Sequence, residues 1–206
     1  MHSNAQRRLI VGISGASGVV LGVRLLELLR QLGIESHLIM SKSAQVTLAY
    51  ETDFKLADVT ALADHCYRID DMAACISSGS YRTLGMVIAP CSMKTLAEIA
   101  NASSSSLLTR AADVVLKERK RLVLLTRETP LNLAHIRNML AVTEMGAICT
   151  PPVPAFYARP RNLDEVIDHT LGRVLDLYDI DAGSVRRWSG SSRHAATSQL
   201  ESTERD

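Results

Sequence analysis

Aromatic side chains are scarce, 4% of 206 residues, with one tryptophan and two phenylalanines. So few rings give no ladder of stacking platforms for single-stranded nucleic acid. An excess of one charge is also missing: the formal net charge is +1, which sets up no broad field for a polyanion. No apolar run approaches the roughly 20 residues of a membrane span, and the polar start MHSNAQRR does not read as a secretory leader. The four cysteines (Cys66, Cys75, Cys91, Cys149) are scattered, with no C-x-x-C, and H-E-x-x-H is absent. That argues against a structural zinc or a disulfide framework and makes a cytoplasmic, soluble protein the expectation. Asp70 and Asp71 begin like a magnesium-binding aspartate motif, but the second carboxylate is lacking, so they read as a hydrated surface pair. His37, His65, His135 and His169 show no ligand spacing and read as half-buried or surface histidines.

What is present is a core and a turn. Apolar residues make up 47% of the chain, enough for one domain with a full interior. Segment 8–18 reads RLIVGISGASG. Its apolar run at 9–13 predicts a buried strand. Small residues follow at 14–18, and then Leu21, Leu25, Leu26, Leu28, Leu29 and Leu32 recur at helical spacing. Strand, small-residue turn and helix aim backbone N–H groups and a helix N-terminus at an anion, usually a phosphate. Glycines at 12, 15 and 18 give G-x-x-G-x-x-G, not the dinucleotide pattern G-x-G-x-x-G, and no Gly-Lys-Ser/Thr follows. The second strand, 36–40, ends in Ser41 and Lys42 rather than in the acid that would hold an adenosine ribose. A mononucleotide phosphate fits better than NAD; a tight turn without a ligand is the alternative.

Farther along, 43–50 predicts a short helix, and 54–81 is irregular apart from a helical stretch at 57–64. A strand at 86–89 is stopped by Pro90, and a helix runs to 100. A serine-rich loop (101–106) leads to a helix at 107–117 and a strand at 122–125. A helix at 131–145, with Gly146 as its cap, precedes a strand at 147–149. The rigid PPVP at 151–154 and a helix at 163–178 complete the pattern. Such alternation predicts a three-layer α/β fold, Rossmann-like or flavodoxin-like, with a mostly parallel sheet in a single domain, 1–188, and a polar tail, 189–206. Ligands in these sheets sit at the carboxyl ends of the strands. That rule collects 14–18, Ser41 and Lys42, 90–95, Arg127 and Glu128, and 151–157 on one rim. On residues alone, Ser92 could hold a phosphate or cap a helix, Arg127 could meet a ligand or pair with Glu128, and Cys91 could be a reactive thiol or a small core filler. Arg110 and Lys117, seven apart, share a helix face.

In order, the motifs GISGASG (12–18), MSK (40–42), ETD (51–53), APCSMKT (89–95), RAADV (110–114), LKER (116–119), RETP (127–130), PPVPAFY (151–157) and RW (187–188) resemble the flavin prenyltransferases of the UbiX type. The resemblance covers nearly all of 7–188. It implies a homo-oligomer, typically a dodecamer, that joins the dimethylallyl group of dimethylallyl phosphate to N5 and C6 of reduced FMN. The product, prenylated FMN, is the cofactor of a UbiD-type decarboxylase acting in ubiquinone synthesis or on aromatic acids. The resemblance implies FMN contacts from Gly15, Ala16, Ser17, Ser41, Ser92, Met93, Lys94, Thr95 and Arg127. It implies Glu51, Ser17, Glu128 and Lys117 as catalytic groups, and Tyr157, Arg173, Arg110 and Lys117 around the prenyl phosphate. No metal is implied, since a monophosphate leaving group calls for cations and a proton donor. The chain departs from the family at Leu21, where relatives often carry tyrosine, and at 103–106, which replaces a turn holding Asp or Asn. Two rival readings are an FMN-dependent decarboxylase of a cysteine-containing substrate and a non-catalytic FMN-binding decarboxylase subunit. The first uses a histidine base and a Pro-x-Met-Asn segment, neither of which is here. The second has no need of Arg110, Lys117, Glu128 and Arg173 together.

Overall fold

Six strands pair into one parallel sheet. The computed structural model describes residues 7–188; the tail assigned to 189–206 lies outside them. The strands are β1 (Arg8–Ile13), β2 (Glu35–Met40), β3 (His65–Tyr67), β4 (Gly85–Cys91), β5 (Arg121–Thr126) and β6 (Ile148–Cys149), in the order β3-β2-β1-β4-β5-β6. Every described pairing is parallel. This is the doubly wound order, in which the chain leaves the middle of the sheet in both directions. Among the described residues seven helices flank the sheet, six between strands and the last after β6: α1 (Val20–Gln31), α2 (Lys42–Glu51), α3 (Leu56–Leu62), α4 (Met93–Ala100), α5 (Leu107–Lys117), α6 (Leu133–Glu144) and α7 (Leu163–Asp176).

The strands read as unbroken apolar runs because both faces of the sheet are covered. Leu9, Val11, Ile13, Leu38, Met40, Val87 and Ala89 face one side, with Leu25 and Leu29 of α1 and Leu171 and Val174 of α7. Ile10, Ile39, Met86, Ile88, Leu122 and Leu124 face the other, with α4, α5 and Val142 of α6. Thus α5 and α7 lie on opposite faces of the sheet, a placement that matters for the site. The end of α6 is as expected. Gly146 takes φ +100°, its N–H reaches Thr143 O, and Ala147 N reaches Val142 O at 2.9 Å, a Schellman closure.

Two expectations are corrected. Pro90 does not stop its strand, because β4 runs on to Cys91, which pairs with Thr126 after a register irregularity. The missing N–H of proline falls at that irregularity, where the ladder does not require it. The segment 54–81 also holds β3, an edge strand of three residues, too short to show a period. Among the described residues no helix is long and apolar enough to cross a membrane.

Candidate active site

One hydroxyl ties the rim together. Ser14, 1% exposed, donates to Pro90 O at 2.8 Å and accepts from Ser92 N at 2.7 Å. The loop after β1 is thereby fastened to the loop after β4. Gly15 has no room for a side chain, since a Cβ there would overlap the Ser43 side chain at the start of α2. Gly18, at φ +96°, adopts a conformation that favours glycine.

The anion at the start of α1 comes from the chain itself. Glu51, the last residue of α2, accepts from Gly18 N at 2.8 Å and Val19 N at 3.2 Å, and the Ser17 hydroxyl bonds the same carboxylate. Partial burial pushes the Glu51 pKa up, but the Ser17 hydroxyl, the two amides and the charge of Arg127 outweigh it, and the net shift is downward. The amides that the turn offers to a phosphate therefore hold an ionised carboxylate, a proton acceptor at the mouth of the sheet.

Phosphate donors lie next to it. Three helices of eight residues or more, α2, α4 and α5, begin at one cavity of about 440 Å³, lined by Ser41, Ser43, Ser92, Thr95 and Ser106 among others. Each has a serine cap: Ser41 accepts from Ala44 N at 3.0 Å, Ser92 from Thr95 N at 3.3 Å and Ser106 from Thr109 N at 3.4 Å. A cap satisfies one of the first-turn N–H groups and leaves others for a ligand. Three positive helix ends, a row of hydroxyls and the exposed Lys42 and Lys94 fit a mononucleotide phosphate. Nearby, at the end of β5, the buried Thr126 Oγ1 has no hydrogen-bond partner, so the strand ends retain an uncommitted polar atom. Cys91 is a core filler, fully buried, with burial pushing its thiol pKa up. Arg127 and Glu128 are exposed on the same rim, and Glu128 accepts from Thr129 N at 3.0 Å.

The remaining cations do not converge within one chain. Arg110, half-buried on α5, bonds Asp113 at 2.7 Å and Ser77 O at 3.3 Å. Lys117 ends the same helix, about 15 Å farther along its axis than the cavity end, and pairs with Glu118. Arg173 lies in the last turn of α7, across the sheet from α5, and pairs with Asp176 at 2.7 Å. Tyr157 is exposed in a 3-10 turn, its hydroxyl 3.4 Å from His169 Nε2 and its ring edge-on to Trp188. The structure thus unites Gly15, Ala16, Ser17, Ser41, Glu51, Ser92, Met93, Lys94, Thr95 and Arg127 at one rim, while Arg110 and Lys117 ride on α5, and Tyr157 packs on His169 of α7, one turn before Arg173. Sequence reasoning missed Ser43, Ser106 and Thr126. For Ser106 a signal existed, a serine directly before an amphipathic run.

A parallel α/β sheet whose strand-end rim is fitted to a mononucleotide phosphate defines a flavoprotein-type nucleotide binder, and the comparisons with known proteins agree. The family model described as Flavoprotein matches residues 1–187. Flavin prenyltransferase UbiX of Escherichia coli strain K12 is 57% identical over 188 residues, covering 90% of this chain and all of that protein. A crystal structure of AnUbiX (PadA1) in complex with FMN and dimethylallyl pyrophosphate is 52% identical, with TM-score 0.89, over 91% of this chain and all of that one. A dodecameric FMN-dependent UbiX-like decarboxylase from Escherichia coli O157:H7 is 50% identical, with TM-score 0.86, over 89% of this chain and all of that one. The chain belongs to the Flavoprotein family and, within it, to the flavin prenyltransferases of the UbiX type.

Proposed function

We propose that this protein is a flavin prenyltransferase that moves the dimethylallyl group of dimethylallyl phosphate onto N5 and C6 of reduced FMN. The observation that carries this reading is the cavity where α2, α4 and α5 begin, set beside the Ser17–Glu51 pair. A mononucleotide phosphate and a proton acceptor are thus held at neighbouring points of one rim. The AnUbiX complex, with FMN and dimethylallyl pyrophosphate together, supports the same pairing of ligands. Reduced FMN supplies the nucleophilic ring atoms. Ser41, Ser92, Met93, Lys94 and Thr95 hold its phosphate end, and Gly15, Ala16, Ser17 and Arg127 its ring end. The ionised Glu51, oriented by Ser17 and the amides of Gly18 and Val19, takes up a proton at the flavin edge. Tyr157, Arg173, Arg110 and Lys117 bind the prenyl phosphate, and Glu128 completes that cage.

This cage requires more than one chain, because α5 and α7 cover opposite faces of the sheet. We therefore propose a homo-oligomer, a dodecamer, in which a neighbour contributes its α5 cations; the dodecameric relative supports that assembly. The prenylated FMN is released to a UbiD-type decarboxylase, in the cytoplasm. Turnover needs no metal, since cations from side chains neutralise the leaving phosphate.

The test is an anaerobic reaction of the protein with reduced FMN and dimethylallyl phosphate, with and without EDTA, followed by the mass of the released flavin. A flavin heavier by one five-carbon isoprene unit in both arms is expected. An unchanged flavin mass would overturn the function, and a loss in the EDTA arm that magnesium restores would overturn the metal-free step.

A further inference from the structure

The amino ends of β2 and β3 gather a group that flavin chemistry does not use. Glu35 and His37 lie two apart on β2 and so share a face, and His65 is the register partner of His37 on β3. The sequence hides this trio, since 28 residues separate His37 from His65 and neither spacing resembles a metal motif. In the fold the three donor atoms lie within 4.8 Å of one another. Glu35 Oε1 is 3.1 Å from His37 Nε2 and 3.1 Å from His65 Nε2. The two imidazoles stack with centroids 4.7 Å apart.

The surroundings hold these atoms in place. The His37 side chain is fully buried, and its Nδ1 sits 2.9 Å from the Tyr67 hydroxyl, which keeps Nε2 turned toward Glu35. Arg8 Nε bonds the other Glu35 oxygen at 3.1 Å, leaving Oε1 to the imidazoles. The Tyr81 hydroxyl stands 3.2 Å from His37 Nε2. The His65 side chain is 51% exposed, so the trio opens to solvent on one side.

We propose that Glu35, His37 and His65 form a site for a zinc-class divalent transition-metal ion that clips the edge strand β3 to β2. Two imidazoles and one carboxylate are the donor set of such ions, whereas magnesium and calcium take oxygen shells. With metal–ligand bonds of about 2.0–2.1 Å, tetrahedral ligands stand about 3.3 Å apart, close to the two 3.1 Å separations found here. The third separation closes by a swing of the exposed His65 ring. Tyr67 on Nδ1 is the outer-shell partner that a ligating histidine ordinarily has. Because an ionised Glu35 only accepts, each Nε2 carries the ring proton in the metal-free site; on metal uptake that proton moves to Nδ1, which in His37 then donates to the Tyr67 hydroxyl. The fourth position, beside His65, takes water. Arg8 shares Glu35 and adds a positive charge, which weakens binding relative to a site without it.

This ion is structural and separate from catalysis. Glu35 opens β2 and Met40 closes it at the flavin rim, about 16 Å away along the strand. The clip acts at one edge of the sheet, on a three-residue strand whose side chains are half-buried or exposed.

The test uses the full-length oligomer, stripped with chelator and titrated with zinc chloride alone, read by calorimetry and by thermal melting. Cobalt substitution supplies a visible spectrum that reports tetrahedral coordination. His65→Ala removes the exposed ligand, His65→Asn serves as a second variant should the first be unstable, and His135→Ala on α6 controls for adventitious surface binding. One zinc per chain is expected, with a rise of a few degrees in Tm and cobalt ligand-field bands. All three are lost, or affinity falls at least tenfold, in the His65 variants and persist in His135→Ala. Prenyl transfer should be equal with and without zinc. Absence of saturable binding in the wild type, or equal binding in wild type and the His65 variants, would overturn the site.

Discussion

Glu51 is the residue to which the proposed mechanism assigns proton transfer, and its placement could not be read from the sequence. It closes α2 yet bonds the amides of Gly18 and Val19, in the turn that leads into α1, 33 and 32 positions earlier. The sequence offers a glycine-rich turn and a separate Glu-Thr-Asp; only the packing of α2 against the turn, with Gly15 lying under Ser43, brings them together. Glu51→Gln keeps the packing volume and removes the proton acceptor. FMN titration should show near wild-type affinity, while single-turnover prenyl transfer falls by about 10²–10⁴, the usual worth of one proton-transfer group. The same residue shapes acid stability. Its folded pKa lies below its unfolded one, so its contribution is complete above the unfolded value of about 4.3 and is lost as pH falls through the lower folded value. Denaturant midpoints measured from pH 6 downward should therefore fall less steeply in Glu51→Gln than in the wild type.

At the scale of elements, long and periodic segments were legible, and the two-residue β6 was marked by the Gly146 cap before it, but β3 had no such signal. α1 shows its face because buried Leu21, Leu25, Leu28 and Leu29 recur at helical spacing, and β1, β4 and β5 show as apolar runs because both of their faces are covered. β3 escapes because three residues carry no period, and the extension of β4 past Pro90 escapes because a proline inside a strand usually ends it. The strand-end rule located the rim from sequence, but not the distribution of helices over the two faces, which is set by crossover geometry. One buried bond fastens the last helical segment to the centre of the sheet. The Tyr178 hydroxyl, on a residue 4% exposed, donates to Met86 O in β4 at 2.7 Å. Tyr178→Phe deletes that bond with little change of shape. Stability should drop by about 1–1.5 kcal/mol in urea unfolding with an unchanged m-value, and FMN binding should stay intact.

For the whole molecule, the surface and the site lead to the same assembly. α6 buries Val142 but exposes Leu133, Ile136 and Leu140 at 60%, 52% and 59%, spaced three and four apart along one face. An exposed apolar stripe of this kind marks a surface for protein contact, here a second subunit. A charge placed in it, Leu140→Arg, should shift the oligomer to smaller species in native mass spectrometry and light scattering. The stripe was visible in the sequence only as periodicity, which does not separate a core face from an interface.

The central claim is that each chain builds its own flavin rim and borrows phosphate-binding cations from a neighbour, because α5 and α7 cover opposite faces of one sheet. Complementation tests it most directly. Lys117→Ala and Glu51→Gln proteins, each inactive alone, are mixed under conditions that exchange subunits, and prenylated FMN is followed. A site that takes Glu51 from one chain and Lys117 from the next regains both groups at some mixed contacts, so partial activity should return and peak at intermediate ratios. If native mass spectrometry shows mixed oligomers and no ratio yields product, or if Lys117→Ala alone is fully active, a site shared between chains is contradicted.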